Sequence, residues 1–380
     1  MPWIKRYYEP KFNQMLQKGK VLVIYGPRQV GKTSLVNHLL KLKKEEKIFK
    51  GDGNDMTLQD LFGSRSLVNI QNAFKGYQII FIDEAQKIKE IGEGLKLLVD
   101  HESEIKIIAS GSSSFDLSNQ IGEPLVGRQK VSTLYPVSVL EMTNNFGGAW
   151  VLQQLESLMI YGSYPEVITA QGNENKTDYL INLRNSLLLK DILELENVRN
   201  SSKLMDLLRL LAFQIGMEVS LNELSNQLQI AKQTIERYLD LLEKVFIIKK
   251  IQAYSSNLRK EITKTHRYYF WDNGIRNALI NNFNPLKFRN DVGMLWENFM
   301  YTERMKTREY LKIYSNNYFW RTYDQKEVDM VEEREGKLFG FEFKWKPKKI
   351  KPPRLWLETY KNAEYRVIDT SNFIEFLCNK

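Results

Sequence analysis

The sequence is short of the residues that build several common kinds of site. It has one cysteine, Cys378, only three histidines, and no apolar run approaching the length of a bilayer span. A single cysteine excludes both a disulfide framework and a zinc site built on cysteine ligands, and it fits a reducing compartment. The longest apolar stretches, such as residues 21–25, fall far short of the roughly 20 residues a membrane helix needs. The opening Met1-Pro2-Trp3-Ile4-Lys5-Arg6-Tyr7-Tyr8 lacks the apolar core of a signal peptide, so the expected location is the cytoplasm, with no membrane partner. Internal repeats and low-complexity tracts are also missing. What remains is ordinary: 380 residues, 43% hydrophobic and 27% charged, enough for two or three domains with buried cores. The net charge of +9 is compatible with an anionic partner without requiring one.

The first 140 residues alternate short apolar runs with helical patterns, as in a parallel sheet covered by helices. Strands are expected at Lys20–Tyr25, Ile79–Asp83, Ile105–Ser110 and Lys130–Tyr135, with a weaker one near Lys47–Lys50. Residues 146–210 read as a helical lid, with Leu183, Leu187, Leu188 and Ile192 on one face and Arg184 and Lys190 elsewhere. From 211 to 285 the pattern is helix, turn, helix and two β-rich segments. A capping box is expected at Ser220–Glu223 and a helix at Ala231–Lys244, followed by strands at Phe246–Ile251 and Arg267–Trp271, which together outline a winged helix. The last segment, 286–380, pairs a helix at Asp291–Met305 with strands near Leu311–Tyr314, Tyr318–Arg321, Glu327–Val331 and Lys337–Lys344.

Between the first strand and the helix after it lies Gly26-Pro27-Arg28-Gln29-Val30-Gly31-Lys32-Thr33, with Ser34 next. This fits G-x-x-x-x-G-K-[ST], in which glycines let backbone N–H groups turn inward around a phosphate at a helix N-terminus. Lys32 would hold the β and γ phosphates and the Thr33 hydroxyl would ligate magnesium. The strand at 79–82 ends in Asp83-Glu84, at the edge where open α/β sheets bind ligands. Asp83 suits the magnesium shell, and Glu84 suits a base that orients or deprotonates water, which makes the site hydrolytic. Ser112 or Ser113, at the tip of the next strand, could sense the γ phosphate, although a serine turn explains them nearly as well. Arg128 could reach the transferred phosphoryl group in cis or in trans, or form a surface ion pair. No Asn-Lys-x-Asp guanine-recognition sequence occurs, which favours ATP over GTP.

On these residues the chain resembles a large group of prokaryotic AAA-type P-loop ATPases that carry a C-terminal domain of uncharacterised function. The resemblance covers nearly the whole length. It rests on the Gly26–Thr33 loop, Asp83-Glu84-Ala85-Gln86, Ser110-Gly111-Ser112-Ser113, Gly127-Arg128 and Tyr161-Gly162-Ser163-Tyr164-Pro165-Glu166, with Ser163 where that block has a second glycine. It implies ATP binding and hydrolysis, without a known substrate.

In the winged-helix outline, Lys232, Gln233, Thr234 and Arg237 would face a DNA groove, while Glu236, Asp240 and Glu243 on the same helix would repel phosphates. The stretch 249–267, with Lys249, Lys250, Arg259, Lys260, Lys264 and Arg267 against Glu261, is more basic. Further on, a hairpin turning at Glu335-Gly336 would set Asp329 opposite Glu342 and Glu327 opposite Lys344, with Val328, Met330, Phe339, Phe341 and Phe343 on the apolar face. Opposed acids are destabilising unless a cation joins them. An acid followed by Glu-x-Lys on the next strand resembles the active site of the restriction-endonuclease-like superfamily. That resemblance implies magnesium on Asp329 and Glu342, a catalytic Lys344, and Glu297 as the helix acid. The alternative has Glu327 neutralising Lys344 and the acids facing solvent. A basic tract follows with Lys346, Lys348, Lys349, Lys351 and Arg354, and Trp345 and Trp356 beside it for stacking on bases. Prolines 347, 352 and 353 fit a solvated loop equally well.

The expected fold is thus α/β: an AAA-type P-loop domain (1–145), a helical lid (146–210), a winged helix (211–285) and a restriction-endonuclease-like domain (286–380). Two functions stay open. One is an ATP- and magnesium-dependent ATPase acting on DNA, with or without nuclease activity. The other is a regulatory or scaffolding ATPase whose C-terminal domain is an inactive module for protein partners or self-association.

Overall fold

The computed structural model describes residues 3–112, 124–186, 201–254, 266–322, 326–348 and 350–379. The chain forms two compact units. The first is Lys5–Pro136 with Lys244–Phe246; the second is Val137–Glu243 and Ile247–Lys380 with the extreme N-terminus. The segments expected as lid, winged helix and C-terminal domain therefore lie almost wholly in the second unit.

The first unit is built on five strands, β1 (Val21–Tyr25), β2 (Ile48–Asp52), β3 (Ile79–Asp83), β4 (Lys106–Gly111) and β5 (Gln129–Thr133). They are all parallel, in the order β2-β3-β4-β1-β5. Five-residue runs rich in Val and Ile are too short for amphipathic helices and pack well on both faces of a pleated surface. Accordingly β1 is buried throughout, and Ile79–Ile82 of β3 are buried too. Val21, Val23, Ile80, Ile82, Ile107 and Ala109 join Phe62, Ile91, Leu95 and Leu98 of the covering helices in one core. The helix Lys32–Lys41 turns Leu35, Val36, Leu39 and Leu40 inward. Parallel strands in register, with Tyr25 beside Gly111 and Ile82 beside Ala109, bring the ends of β1, β3 and β4 to one edge. That alignment creates the site.

The second unit holds a seven-stranded sheet in the order β12-β11-β10-β9-β7-β8-β6. Its strands are β6 (Glu218–Val219), β7 (Ile248–Ala253), β8 (His266–Phe270), β9 (Asn316–Arg321), β10 (Glu327–Arg334), β11 (Lys337–Phe343) and β12 (Glu364–Ile368). β7 and β8 form the antiparallel pair expected of a wing, and β7 also pairs in parallel with β9 at Gln252–Tyr318 and Ala253–Phe319. Strands expected in two separate domains therefore share one sheet. The helices Ser201–Phe213, Leu221–Leu228 and Lys232–Lys244 precede β7.

Local expectations change at the end of the helix Val292–Leu311 and at Ser220. The strand expected at Leu311–Tyr314 is absent, because the helix Val292–Leu311 continues past Met305 and ends at Lys312 in the left-handed region. Its last turns look polar in sequence but are interior: Arg304 pairs with Glu332 at 2.7 Å and Lys306 with Glu303 at 2.6 Å. At Ser220 only half of the capping box forms, the hydroxyl accepting from the Glu223 N–H at 3.3 Å; the complete box is at Ser138 and Glu141. Ser163 is accommodated without strain, because Gly162 takes the positive φ of 73° and the Ser163 N–H donates to Asp272 at 2.7 Å. A side chain at position 162 would collide with the same carboxylate. In the expected lid, Leu183 is buried and Arg184 donates to the Ala278 carbonyl at 2.8 Å, whereas Leu187, Leu188, Lys190 and Ile192 lie outside the described residues.

Candidate active site at the phosphate-binding loop

The loop from Gly26 to Thr33 joins β1 to the helix Lys32–Lys41. Gly26 has φ 149°, and a Cβ there would sit 2.0 Å from the Leu134 carbonyl oxygen, so only glycine fits. Gly31 has φ 92° at the start of the helix. The ammonium of Lys32 is buried and donates to the carbonyls of Gly26 at 2.8 Å and Pro27 at 2.9 Å. Those neutral acceptors are weaker partners than phosphate oxygens, toward which a charge-assisted bond would be shorter and stronger. Pro27 and Val30 are buried, Arg28 is half-buried, and Gln29, Thr33 and Ser34 are exposed.

Thr33 Oγ1 donates to Asp83 Oδ2 at 2.6 Å, and the other Asp83 oxygen accepts from the fully buried Ser110 hydroxyl. Three elements thus meet at one carboxylate: the helix after β1, the end of β3, and β4. Thr33 and Asp83 offer adjacent hard oxygen donors, the chemistry magnesium takes. The donor set fits the metal, and the glycine-lined loop with its buried ammonium fits a polyphosphate.

Glu84 adopts a left-handed φ of 47°, unusual for a side chain of this size. Gly53 lies against it, where a Cβ would come within 2.1 Å of the Glu84 carbonyl. The Glu84 carboxylate accepts from Gln86 Nε2 at 2.5 Å, and the same amide group donates to Ser112 Oγ at 3.3 Å. Gln86 Oε1 is buried and accepts nothing. The structure therefore joins Glu84 to Ser112 through Gln86, a role that the sequence alone did not suggest. Ser110 has no separate role in the sequence reading for the same reason, since its bond to Asp83 depends on β4 lying beside β3. Ser113 and Ser114 lie outside the described residues.

Arg128 does not belong to this site in cis. It precedes β5, whose Gln129 pairs with Val21 at the start of β1, so it lies at the sheet edge opposite the loop. Its guanidinium forms an ion pair with Asp100, the surface alternative.

A second group of acids lies in the second unit. Glu335 and Gly336 both have positive φ, 52° and 72°, and Met330 faces Phe341, which is the expected register. The ladder ends at that pair. A bulge against β9 between Val328 and Val331 puts these two valines in one cluster with Leu338 and Trp356, so strict alternation fails at Val328. Asp329 is 4% exposed, and its Oδ2 accepts the Phe343 N–H at 2.7 Å instead of standing in a ladder pair with Glu342. Lys344 pairs with Glu342 at 2.6 Å, and Glu327 pairs with Arg267 at 2.7 Å, so the expected Glu327–Lys344 neutralisation does not occur. Nor do the acids face solvent, because Glu342 is only 7% exposed. Glu297, on the helix Val292–Leu311, accepts from Tyr269 at 2.7 Å and lies 3.4 Å from Arg267.

Electrostatics tie these groups together. Burial, then Glu297 and Glu342, push the Asp329 carboxyl well above its usual range. Burial likewise raises Glu297, against the pull of Arg267. Lys344 is held above its usual value because Asp329 and Glu342 outweigh its burial. Among the described residues, however, no three His, Cys, Asp or Glu side chains are grouped to hold a metal ion. Glu297, Asp329 and Glu342 share one electrostatic neighbourhood without forming the expected ligand shell.

The expected nucleic-acid surface is also altered. Lys232, Gln233 and Arg237 are exposed, as are Glu236 and Asp240, and Thr234 is half-buried. Arg267 is buried against Glu297 and Glu327, and Lys249 is paired with Glu243 at 2.5 Å. Arg259, Lys260, Glu261, Lys264 and Lys349 lie outside the described residues. Trp356 is fully buried against Trp320 and Tyr360, which removes it as a stacking platform, and Trp345 packs edge-on against Trp296. No helix among the described residues is long and apolar enough to cross a membrane.

Three segments of the chain match known protein families. Residues 18–143 match the AAA domain family; 152–286 and 292–375 match two domains of unknown function, DUF8612 and DUF4143. An uncharacterized protein of Mycobacterium tuberculosis is 26% identical over 338 residues, 88% of this chain and 72% of that protein. One from Methanocaldococcus jannaschii is 25% identical over 338 residues, 82% of this chain and 72% of that protein. Among solved structures, AMPPCP-bound DnaA from Aquifex aeolicus aligns with a TM-score of 0.31 at 16% identity, covering 62% of this chain and 84% of that one. The N-terminal third of the chain is thus similar in sequence to AAA domains.

Proposed function

We propose that the chain binds ATP with magnesium at the Gly26–Thr33 loop and hydrolyses it, with Glu84 as the base that orients and deprotonates water. The observation that carries this reading is the convergence of Lys32, Thr33, Asp83 and Ser110 at the aligned ends of three strands. In it, main-chain N–H groups of the loop and the Lys32 ammonium bind the phosphates, and Thr33 and Asp83 hold magnesium, which would neutralise charge developing on the phosphates. Gln86 holds the Glu84 carboxylate before substrate arrives and links it to Ser112, the proposed sensor of the γ phosphate. In this reading Arg128 takes no part in the site of its own chain and stays paired with Asp100. The hydrolysis cycle switches the second unit, which the chain enters at Val137 directly after β5.

The reading is tested by ATP turnover in Glu84→Gln and Lys32→Ala. Glu84→Gln is expected to keep nucleotide affinity and lose about 10²- to 10⁴-fold in kcat, the range for a positioned general base. Lys32→Ala is expected to lose saturable binding. Unchanged turnover in Glu84→Gln refutes that residue as base.

A second activity has its own support. Glu342 Oε2 is buried without a hydrogen-bond partner, and among the described residues the cations beside Glu297, Glu327, Asp329 and Glu342 are Arg267 and Lys344. The cluster is short of positive charge, which a divalent cation would supply. On this reading the second unit acts on DNA, with magnesium-dependent cleavage lost in Asp329→Ala and kept in Lys32→Ala. If no cleavage occurs and ATP instead controls partner capture or self-association, the unit is a scaffolding module.

A further inference from the structure

Arg6 stands outside every motif in the sequence, yet its side chain is only 5% exposed and reaches the phosphate-binding loop. Nη1 donates to the Val30 carbonyl at 2.7 Å and Nη2 to the Tyr135 carbonyl at 2.6 Å. A Cβ placed on Gly31 would lie 3.9 Å from the same Nη1, so the guanidinium sits beside that glycine too. The segment that receives Nη2 also fixes the other end of the loop: the Leu134 N–H donates to Tyr25 at 2.8 Å, and the Leu134 carbonyl is what forbids a side chain at position 26. Leu134 and Tyr135 therefore brace both ends of the loop, and Arg6 is the link to the far end.

The consequence follows from amide geometry. The Val30 C=O and the Gly31 N–H belong to one planar trans peptide and point in opposite directions. A guanidinium that holds the carbonyl on one side fixes the N–H on the other. We propose that Arg6 is a positioning residue of the nucleotide site, which pre-orients the Gly31 N–H toward the bound phosphate by pinning the Val30 carbonyl to Tyr135. Arginine suits the task because its rigid fork serves two acceptors at once and stays charged at any working pH. The proposal rests on the ATP reading given above. It adds a residue 20 or more positions away from the loop to that site.

The experiment is calorimetric titration with ATP and magnesium, paired with steady-state turnover, for wild type, Arg6→Ala and Arg6→Lys. Arg6→Ala is expected to weaken ATP binding about tenfold or more, the loss typical of a charged hydrogen bond, and to raise KM in step while kcat stays within about twofold. Arg6→Lys, with one compact donor head, is expected to fall between them, at about threefold weaker than wild type. A residue that served only folding would lower kcat through the active fraction and leave KM alone; that result overturns the proposal, as does wild-type affinity in both variants. If Arg6→Ala does not fold, Arg6→Lys decides: wild-type affinity and KM there overturn the proposal. Failure of the wild type itself to take up ATP would instead refute the ATP reading, so the two failures are distinct.

Discussion

At the residue scale, the loop was legible because its chemistry is local. Gly26, Gly31, Lys32 and Thr33 are fixed by spacing, and the structure shows why each type is needed: Gly26 for φ 149° against the Leu134 carbonyl, Lys32 for a buried ammonium held by the loop itself. Gly26→Ala is accordingly expected to abolish ATP binding and to cost about 1–3 kcal/mol of stability, the usual cost of a strained backbone position. Urea unfolding and nucleotide titration of the variant check both halves. Arg128 and Trp356 were read differently in sequence because their surroundings are made by distant residues. Arg128 is next to the right strand but at its wrong end, and Trp356 sits in a proline-flanked basic tract yet is enclosed by Trp320 and Tyr360.

At the element scale, apolar runs with flanking breakers placed β1, β3 and β4 within a residue, since strands buried on both faces have little else to obey. Helix ends were harder. Glu303, Arg304, Lys306 and Arg308 extend the helix Val292–Leu311 through interior ion pairs that no periodicity reveals. β8 shows a related effect: burial, then nearby Lys250, lowers His266 from an ordinary value of 6.5 to about 4. Between those two values the unfolded chain binds a proton that the native strand does not. The native state therefore loses stability as pH falls from about 6.5 toward about 4, and no further from this group below that. Thermal melts across this range are expected to fall more steeply for wild type than for His266→Gln, which cannot take up the proton. Parallel profiles would contradict the assignment.

At the scale of the whole molecule, two compact units make ligand linkage selective. ATP with magnesium at 100 times its Kd is expected to stabilise the unit that holds the loop by about 2.7 kcal/mol. Calorimetry that resolves two transitions should show that one moving upward and the other staying in place; a shift in neither would remove the nucleotide site from the first unit. The sequence by itself determined the parallel α/β unit, the phosphate loop and the Asp83-Glu84 strand end, because short-range spacing and burial fix all three. Tertiary structure alone decided that β7 joins β9, that a bulge turns Asp329 onto the Phe343 N–H, and that Arg6 reaches Val30 and Tyr135. Those contacts join residues far apart in the chain, and which partners meet depends on strand order and register that no local pattern encodes.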